Sequence, residues 1–274
     1  MANRVIKLGI SIIFFIFYRY FRFILSALGI QHSPPLIILN YHLVTKEKRI
    51  RFIHQMDELI RVSKPVFPDF QGPLTSRVIN TAVTFDDGFQ CVLDNAIPEL
   101  IKRKIPCALF IPTGYLGKLP GWINDFDLEY KNELIMNSEQ LKSLPLTLVK
   151  VGSHTITHPN LTLILEENIL RELIESKRRL ENILNKRIDW LAFPHGEYNN
   201  KILEFSKQAG YKLVFAALPV LASNKYSNLL KGRICVSPDD WFIEFELKIR
   251  GAYQWLPIAV NLKRKVFSFL HNIF

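Results

Sequence analysis

The feature that most limits the fold of this chain is a regular alternation of short apolar runs with stretches of helical periodicity. The runs are 36-LIILN-40, 80-NTAVTF-85, 107-CALFIP-112, 147-TLVKVGS-153, 189-DWLAF-193, 212-KLVFAA-217 and 232-GRICV-236. Helical patterns fall between them, at about 49–63, 88–103, 138–144, 163–186, 199–209 and 240–251. The longest, 163-LILEENILRELIESKRRLENILNKR-187, has apolar residues at three-four spacing, acid in its first half and base in its last turns. That polarity complements the helix dipole. Alternating β and α implies a parallel sheet. Seven such strands predict an α/β fold, a (β/α) barrel whose functional residues sit at the carboxyl ends of strands. The chain has 274 residues, 49% of them hydrophobic, which is enough for one sizeable core, and it shows no internal repeat.

Four strand ends carry polar clusters. His42 follows the first, in 39-LNYHLV-44; Asp86 and Asp87 follow the second, in 82-AVTFDDGFQ-90. His154 and His158 lie in 152-GSHTITH-158, and the fourth cluster is 193-FPHGEY-198. In a barrel these converge on one mouth. Adjacent carboxylates repel, and burying either is costly unless it is paired or bound to a metal. His154 and His158 are four apart, so a helical turn after the strand would face both imidazoles one way, as two ligands of one metal. Asp87 serves as a third, giving a His₂-carboxylate site with open positions. Asp86, a neighbour that is not a ligand, is then a candidate general base toward a water acidified by the metal. Gly88 permits a tight turn beneath the site. HTITH lacks the glutamate of the HExxH pattern, which excludes that class of zinc peptidase.

The net charge is +10, which suits an anionic partner, but no nucleic-acid-binding motif is visible and the basic residues concentrate only near the two ends. A membrane is therefore favoured over nucleic acid. Near the start, the apolar run 8-LGISIIFFIFY-18 is flanked by Arg4, Lys7, Arg19 and Arg22. Arg4, Lys7, Ser11, Tyr18, Arg22 and Ser26 share one side of a helical wheel, interrupted by Phe14 and Phe15. That pattern fits a helix lying in the membrane interface or an uncleaved anchor. At the other end, 256-LPIAVNLKRKVFSFLHNIF-274 places Asn261, Arg264, Lys265, Ser268 and Asn272 on one face and apolar residues on the other. It reads as a basic amphipathic helix, with a helix packed on the core as the alternative. Cys91, Cys107 and Cys235 form no CxxC pattern, which argues against a disulfide framework or a thiolate metal site.

Taken in order, TFDDG, SHTITH and FPHGEYN resemble the polysaccharide deacetylase family with the NodB homology domain, carbohydrate esterase family four. The resemblance runs over about 36–251, with 40-NYH-42, 159-PNLT-162, 209-AGYK-212 and 232-GRI-234 as supporting pieces. It implies a distorted (β/α) barrel and metal-dependent hydrolysis of N-acetyl, sometimes O-acetyl, groups on sugars. It also implies Asp86 as the base, Asp87, His154 and His158 as ligands of one divalent metal, and a backbone N–H near His195 as an oxyanion donor. Zinc is the expected ion; a His₂-carboxylate set also suits iron, cobalt or nickel. Pro194, His195, Gly196 and Tyr198 are expected to border the substrate, and Trp241, in 238-PDDW-241, to form a wall.

The chain departs from the family's pattern in three places. Ala192 stands where an arginine usually orients the base, and Arg233 is the candidate substitute. His195 stands where an aromatic usually follows the proline. The late LxH motif, whose histidine is the general acid, is missing, and His42 is the candidate replacement. The expected organisation is a membrane-associated segment at 1–30, the deacetylase domain at 36–251 and a C-terminal helix at 252–274. The expected partner is an acetylated polysaccharide or lipid-linked glycan at a membrane surface. The alternatives are an O-deacetylase or deformylase on the same metal site, or a catalytically silent carbohydrate-binding relative.

Overall fold

The computed structural model describes residues 2–30, 36–72, 78–123, 127–218, 228–260 and 262. It begins with a long helix, α1 (Ala2–Ala27), and then builds a parallel sheet. The strands are β1 (Ile37–Tyr41), β2 (Ser63–Pro65), β3 (Ile79–Phe85), β4 (Cys107–Ile111), β5 (Val149–Ser153), β6 (Trp190–Ala192), β7 (Leu213–Ala216), β8 (Leu230–Gly232) and β9 (Ile234–Cys235). Their order is β8-β7-β6-β5-β4-β3-β1-β9, and every neighbouring pair is parallel. Short β2, which the sequence pattern does not predict, pairs with Ile79–Thr81 at the start of β3, before β4 takes over at Val83.

The expectation of about seven strands falls one short of this path because 232-GRICV-236 is not one strand. β8 pairs with β7 and β9 pairs with β1, so two consecutive pieces sit at opposite ends of the sheet order. Only Arg233 separates them in sequence. This short stretch ties the two open edges together and brings the sheet nearly to closure, a distorted barrel.

Helices α2 (Arg49–Val62), α3 (Ile97–Lys102), α4 (Leu128–Lys131), α5 (Ser138–Lys142), α6 (Glu166–Leu184), α7 (Asn200–Gln208) and α8 (Phe242–Ile249) complete the chain. The strand pleat sorts side chains into two sets. Leu39, Tyr41, Val83, Phe85, Leu109 and Ile111 join a large cluster with helix residues such as Phe52, Leu173 and Phe245. The alternating residues Ile38, Ala82, Ala108, Phe110, Ala192 and Phe215 form a second cluster, with Trp190, that contains no helix residue and fills the barrel interior. On that inner face Ile38 is followed by Asn40, and Ala82 by Thr84 and then Asp86. The interior is thus an apolar plug with polar residues stacked above it.

By length and composition α1 can cross a membrane, with a mean hydropathy of 1.7 over an 18-residue window within Asn3–Ala27. At the other end residues 256–260 are helical, whereas the faces expected from Asn261, Arg264, Lys265, Ser268 and Asn272 lie outside the described residues.

Packing of the plug leaves no space at β5. A Cβ added to Gly152 would lie 2.6 Å from Phe110 Cε1 and 3.0 Å from the Trp190 carbonyl oxygen. Gly152→Ala is expected to lower stability by about 1–3 kcal/mol through overpacking. The check is a lower denaturant midpoint at an unchanged m-value.

Candidate metal centre

Each polar cluster leaves the sheet at the carboxyl end of a strand. His42 follows β1, Asp86 and Asp87 follow β3, His154 follows β5, and Pro194–Gly196 follow β6. A cavity of about 300 Å³ opens there, lined by Asn40, His42, Asp86, Asp87, His154 and His158, with His195 and Gly196 at its rim.

Three ligand-type atoms from Asp87, His154 and His158 lie within 4.8 Å of one another, and all three residues are buried. Asp87 Oδ1 is 3.5 Å from His154 Nε2 and 3.3 Å from His158 Nε2. Despite that proximity it has no hydrogen bond of acceptable geometry. A buried carboxylate oxygen left unbonded between two imidazoles fits a cation-binding site. His154 Nδ1 lies 2.8 Å from the Ala192 carbonyl, which can only accept, so Nδ1 carries the proton and Nε2 offers a lone pair. Burial pushes the His154 pKa down to about 4, keeping the imidazole neutral and able to ligate at pH 7. Donor number and type therefore fit one divalent ion of the zinc, iron, cobalt or nickel group.

The histidines do not meet through a helical turn, as their spacing first suggests. Thr155 and His158 adopt positive φ, 67° and 58°, and fold the segment into a tight loop. Glu172 on α6 pins this loop: its carboxylate accepts the Ile156 N–H at 2.6 Å, the Thr157 N–H at 3.0 Å and the Thr157 hydroxyl at 2.7 Å. Asp87 and His195 also have positive φ, 66° and 58°, so four of the six non-glycine residues in that region among those described cluster at this mouth. Such backbone costs about 1–3 kcal/mol per residue and persists only where surrounding bonds impose it. Gly196 has no alternative: its φ is +68°, and an added Cβ would meet Ala217 Cβ at 2.1 Å.

Asp86 stands apart from the ligand trio. Arg233 donates to it twice, at 2.6 and 2.8 Å, and Asn40 Nδ2 donates at 2.9 Å. Burial works to raise the Asp86 pKa, but the Arg233 charge and its hydrogen bonds overcome this and hold the carboxyl well below the usual carboxylate range. Arg233 is itself 1% exposed. It also donates to Asn40 Oδ1 at 3.0 Å and to the Ala216 carbonyl at 3.2 Å, and packs against the rings of Phe110 and Phe215. The guanidinium reaches the carboxylate from the β8–β9 seam, while Ala192 contributes its carbonyl to His154.

The segment 115–136 supplies two aromatic walls. Trp122 stacks on His158 with ring centroids 4.3 Å apart, and Tyr130 meets His42 edge-on at 6.2 Å. Sequence reasoning left Trp122, Tyr130, Asn40 and Glu172 without site roles. The alternation that puts Asn40 on the same face as Asp86 was a usable signal for that residue alone. Three expected border residues lie elsewhere. Trp241 does not line the cavity; it lies under Arg4, 4.4 Å from ring to guanidinium, at the head of α8. Tyr198 stacks on Phe193 at 5.8 Å, and Pro194 is buried within its own turn and does not line the cavity.

Residues 75–214 match the profile of the polysaccharide deacetylase family. That stretch contains Asp86, Asp87, His154 and His158, and excludes His42 and Arg233. The chain is 27% identical over 156 residues to YxkH of Bacillus subtilis, covering 57% of this chain and 51% of that protein. It is 27% identical over 166 residues to the poly-beta-1,6-N-acetyl-D-glucosamine N-deacetylase of Staphylococcus aureus, covering 57% and 54%. The chain thus spans about half the length of the curated relatives it matches. Among solved structures, IcaB from Ammonifex degensii superposes with a TM-score of 0.64 at 24% identity, covering 82% of this chain and 98% of that one. The Streptococcus pyogenes deacetylase PplD gives 0.61 at 21%, covering 76% and 95%. These likenesses show a shared fold. With just over half of its length matching the family profile, the chain belongs to the polysaccharide deacetylase family.

Proposed function

We propose that this protein hydrolyses N-acetyl groups from sugar residues of a polysaccharide or lipid-linked saccharide, working at a membrane to which α1 holds it. The observation that carries this reading is the pairing of two differently equipped carboxylates. Asp87 faces two imidazoles with an unbonded oxygen, while adjacent Asp86 is held ionised by Arg233. A binding module needs neither the separation nor the strained backbone that maintains it. The relatives' names support the substrate class, and poly-β-1,6-N-acetylglucosamine, named for the Staphylococcus aureus relative, is the first polymer to test.

Asp87, His154 and His158 are the residues proposed to hold the ion. When bound, a divalent cation there supplies Lewis acidity and lowers the pKa of water. Asp86 accepts the proton of the attacking water. Its depressed pKa keeps it ionised at physiological pH, and Arg233 and Asn40 fix its orientation. The backbone N–H of His195, on the cavity lining, is the donor proposed for the oxyanion of the tetrahedral intermediate. His42 gives a proton to the leaving amine in place of the missing late histidine. Trp122 offers an aromatic face beside the ligands for a sugar ring.

Acetate release from N-acetylglucosamine oligomers by metal-loaded protein is the direct measurement. Asp86→Asn is expected to reduce turnover by about 10²–10⁴-fold with the metal retained. His154→Ala is expected to lose both metal and activity. His42→Ala is expected to lower kcat and keep the ion; loss of metal from this variant would make His42 a ligand instead. Wild-type protein that binds metal and releases no acetate from any N-acetylated oligomer, but cleaves O-acetyl or formyl esters and amides, would replace the N-deacetylase reading. Protein that binds neither metal nor releases acetate would move the assignment to a silent carbohydrate-binding relative.

Arg233→Met is expected to leave Asp86 buried without its counter-charge. Breaking such a pair costs about 3–5 kcal/mol, read from chemical denaturation. The companion variant Asp86→Asn removes the pair from the other side, turning one acceptor oxygen into an amide donor that faces Arg233 or Asn40, and is expected to cost a similar amount.

A further inference from the structure

α1 departs from the pattern of a surface helix on a water-soluble domain by leaving a long apolar stripe uncovered. Such helices turn their apolar stripe to the core and their polar face outward. Here Arg4, Ser11, Tyr18 and Arg22 turn toward the domain together with Leu8, Ile12 and Phe15, which pack on its core, while Lys7 and Arg19 stay exposed. Arg4 donates to Glu244 Oε2 and to the Asp239 carbonyl, both at 2.7 Å. Ser11 is fully buried and accepts from Trp255 Nε1 at 2.9 Å. Tyr18 and Arg22 border a small cavity with Ile37, Ile79 and Arg250. The opposite stripe is apolar and open: Ile6 is 58% exposed, Ile13 57%, Phe17 69% and Phe21 55%. Phe242 and Ile243, beside the Arg4 contacts, and Ile258 and Leu262, just past Trp255, are exposed as well. So many large exposed apolar residues along α1, with more at the two segments bonded to it, mark an interaction surface.

Two further observations say what covers it. Residues 2–30 carry no acid, and Lys7 and Arg19 are exposed, so along α1 itself the apolar stripe is bordered by positive charge. That complements an anionic lipid surface. The helix is also bonded to the domain at its start and its middle, and farther along Tyr18 and Arg22 stand across a small cavity from the opposite end of the barrel. Asp239 and Glu244 follow β9, whose Cys235 lines the mouth, whereas Ile37 and Ile79 are the first residues of β1 and β3. α1 therefore runs antiparallel to the strands down the outside of the domain. A bilayer-spanning α1 would have to give up these contacts and leave the polar stripe in hydrocarbon.

We propose that α1 does not span a bilayer but lies in the plane of an anionic membrane surface, with the barrel on its side and the catalytic mouth opening along that surface. The apolar stripe of α1, with Phe242, Ile243, Ile258 and Leu262, enters the lipid. The polar stripe stays bonded to the domain. A glycan lying at the bilayer surface then meets the mouth laterally. The lipid contact stands independently of the deacetylase assignment; only the use made of the mouth rests on it.

The test uses the full chain on phosphatidylcholine vesicles with and without phosphatidylglycerol, and none of its readouts is deacetylation. In a Cys235→Ser background, Asn3→Cys and Leu28→Cys are each treated with a membrane-impermeant maleimide added outside intact vesicles. The in-plane arrangement expects both positions to be labelled to the same extent before and after detergent. Protection of one position until detergent is added means a spanning helix and overturns the proposal. Phe17→Glu, which touches nothing in the domain, is expected to weaken vesicle binding by at least about tenfold. Its melting temperature is expected to stay unchanged. Binding that needs phosphatidylglycerol and weakens with salt supports the proposal. Undiminished vesicle binding by Phe17→Glu, or a discrete lipid-free dimer that binds no vesicles, refutes it.

Discussion

The ion pair between Arg233 and Asp86 joins the closure of the sheet to the chemistry of its mouth. Arg233 is the one residue between β8 and β9, where the chain steps from one edge of the sheet to the other. Its side chain has nowhere to go but inward. A buried guanidinium is tolerable only if its donors are met. Asp86, Asn40, Thr84 and the Ala216 carbonyl meet them, and the ring faces of Phe110 and Phe215 flank it. The same contacts tie β1, β3, β7 and the seam together at one level of the barrel. Closing the fold and fixing the ionised carboxylate are therefore one event, and a change at Arg233 is felt in both.

Above this level the backbone is held in conformations it would not adopt alone. Asp87, Thr155, His158 and His195 all have positive φ. Each turn brings a side chain or carbonyl into the cavity that a relaxed strand exit would aim elsewhere. The restraint comes from outside the mouth. Glu172 holds the histidine loop from α6, the Ala192 carbonyl sets the tautomer of His154, and the close contact at Gly196 seats the loop against Ala217. The cluster of Asp87, His154 and His158, which could hold a metal ion, is thus positioned by groups outside it.

The outer surface follows a different rule from the core. The domain collects its apolar residues inside, but α1 keeps a long apolar stripe exposed while staying bonded through Arg4 and Ser11. One side of the helix thus packs on the domain while the other is left open. That explains why its wheel, read alone, fits both an interfacial helix and an anchor.

Much of the architecture was legible in the chain. Period-two and period-3.6 patterns are local, so the succession of strands and helices could be read, and with it the parallel sheet. The motifs around Asp86, His154 and His195 fell at strand ends, and parallel strands put all such ends on one side. What the sequence could not carry was neighbourhood. That GRICV splits across two sheet edges, that Arg233 lies inside and not on the surface, and that Asn40, Glu172 and Trp122 reach the site depend on which elements become adjacent. Trp241 shows the converse, a residue close to the site in sequence that packs against α1 instead. Local patterning is set by each residue's own backbone and solvent preference. Burial of a charge is decided only when a counter-charge from a distant strand arrives to meet it.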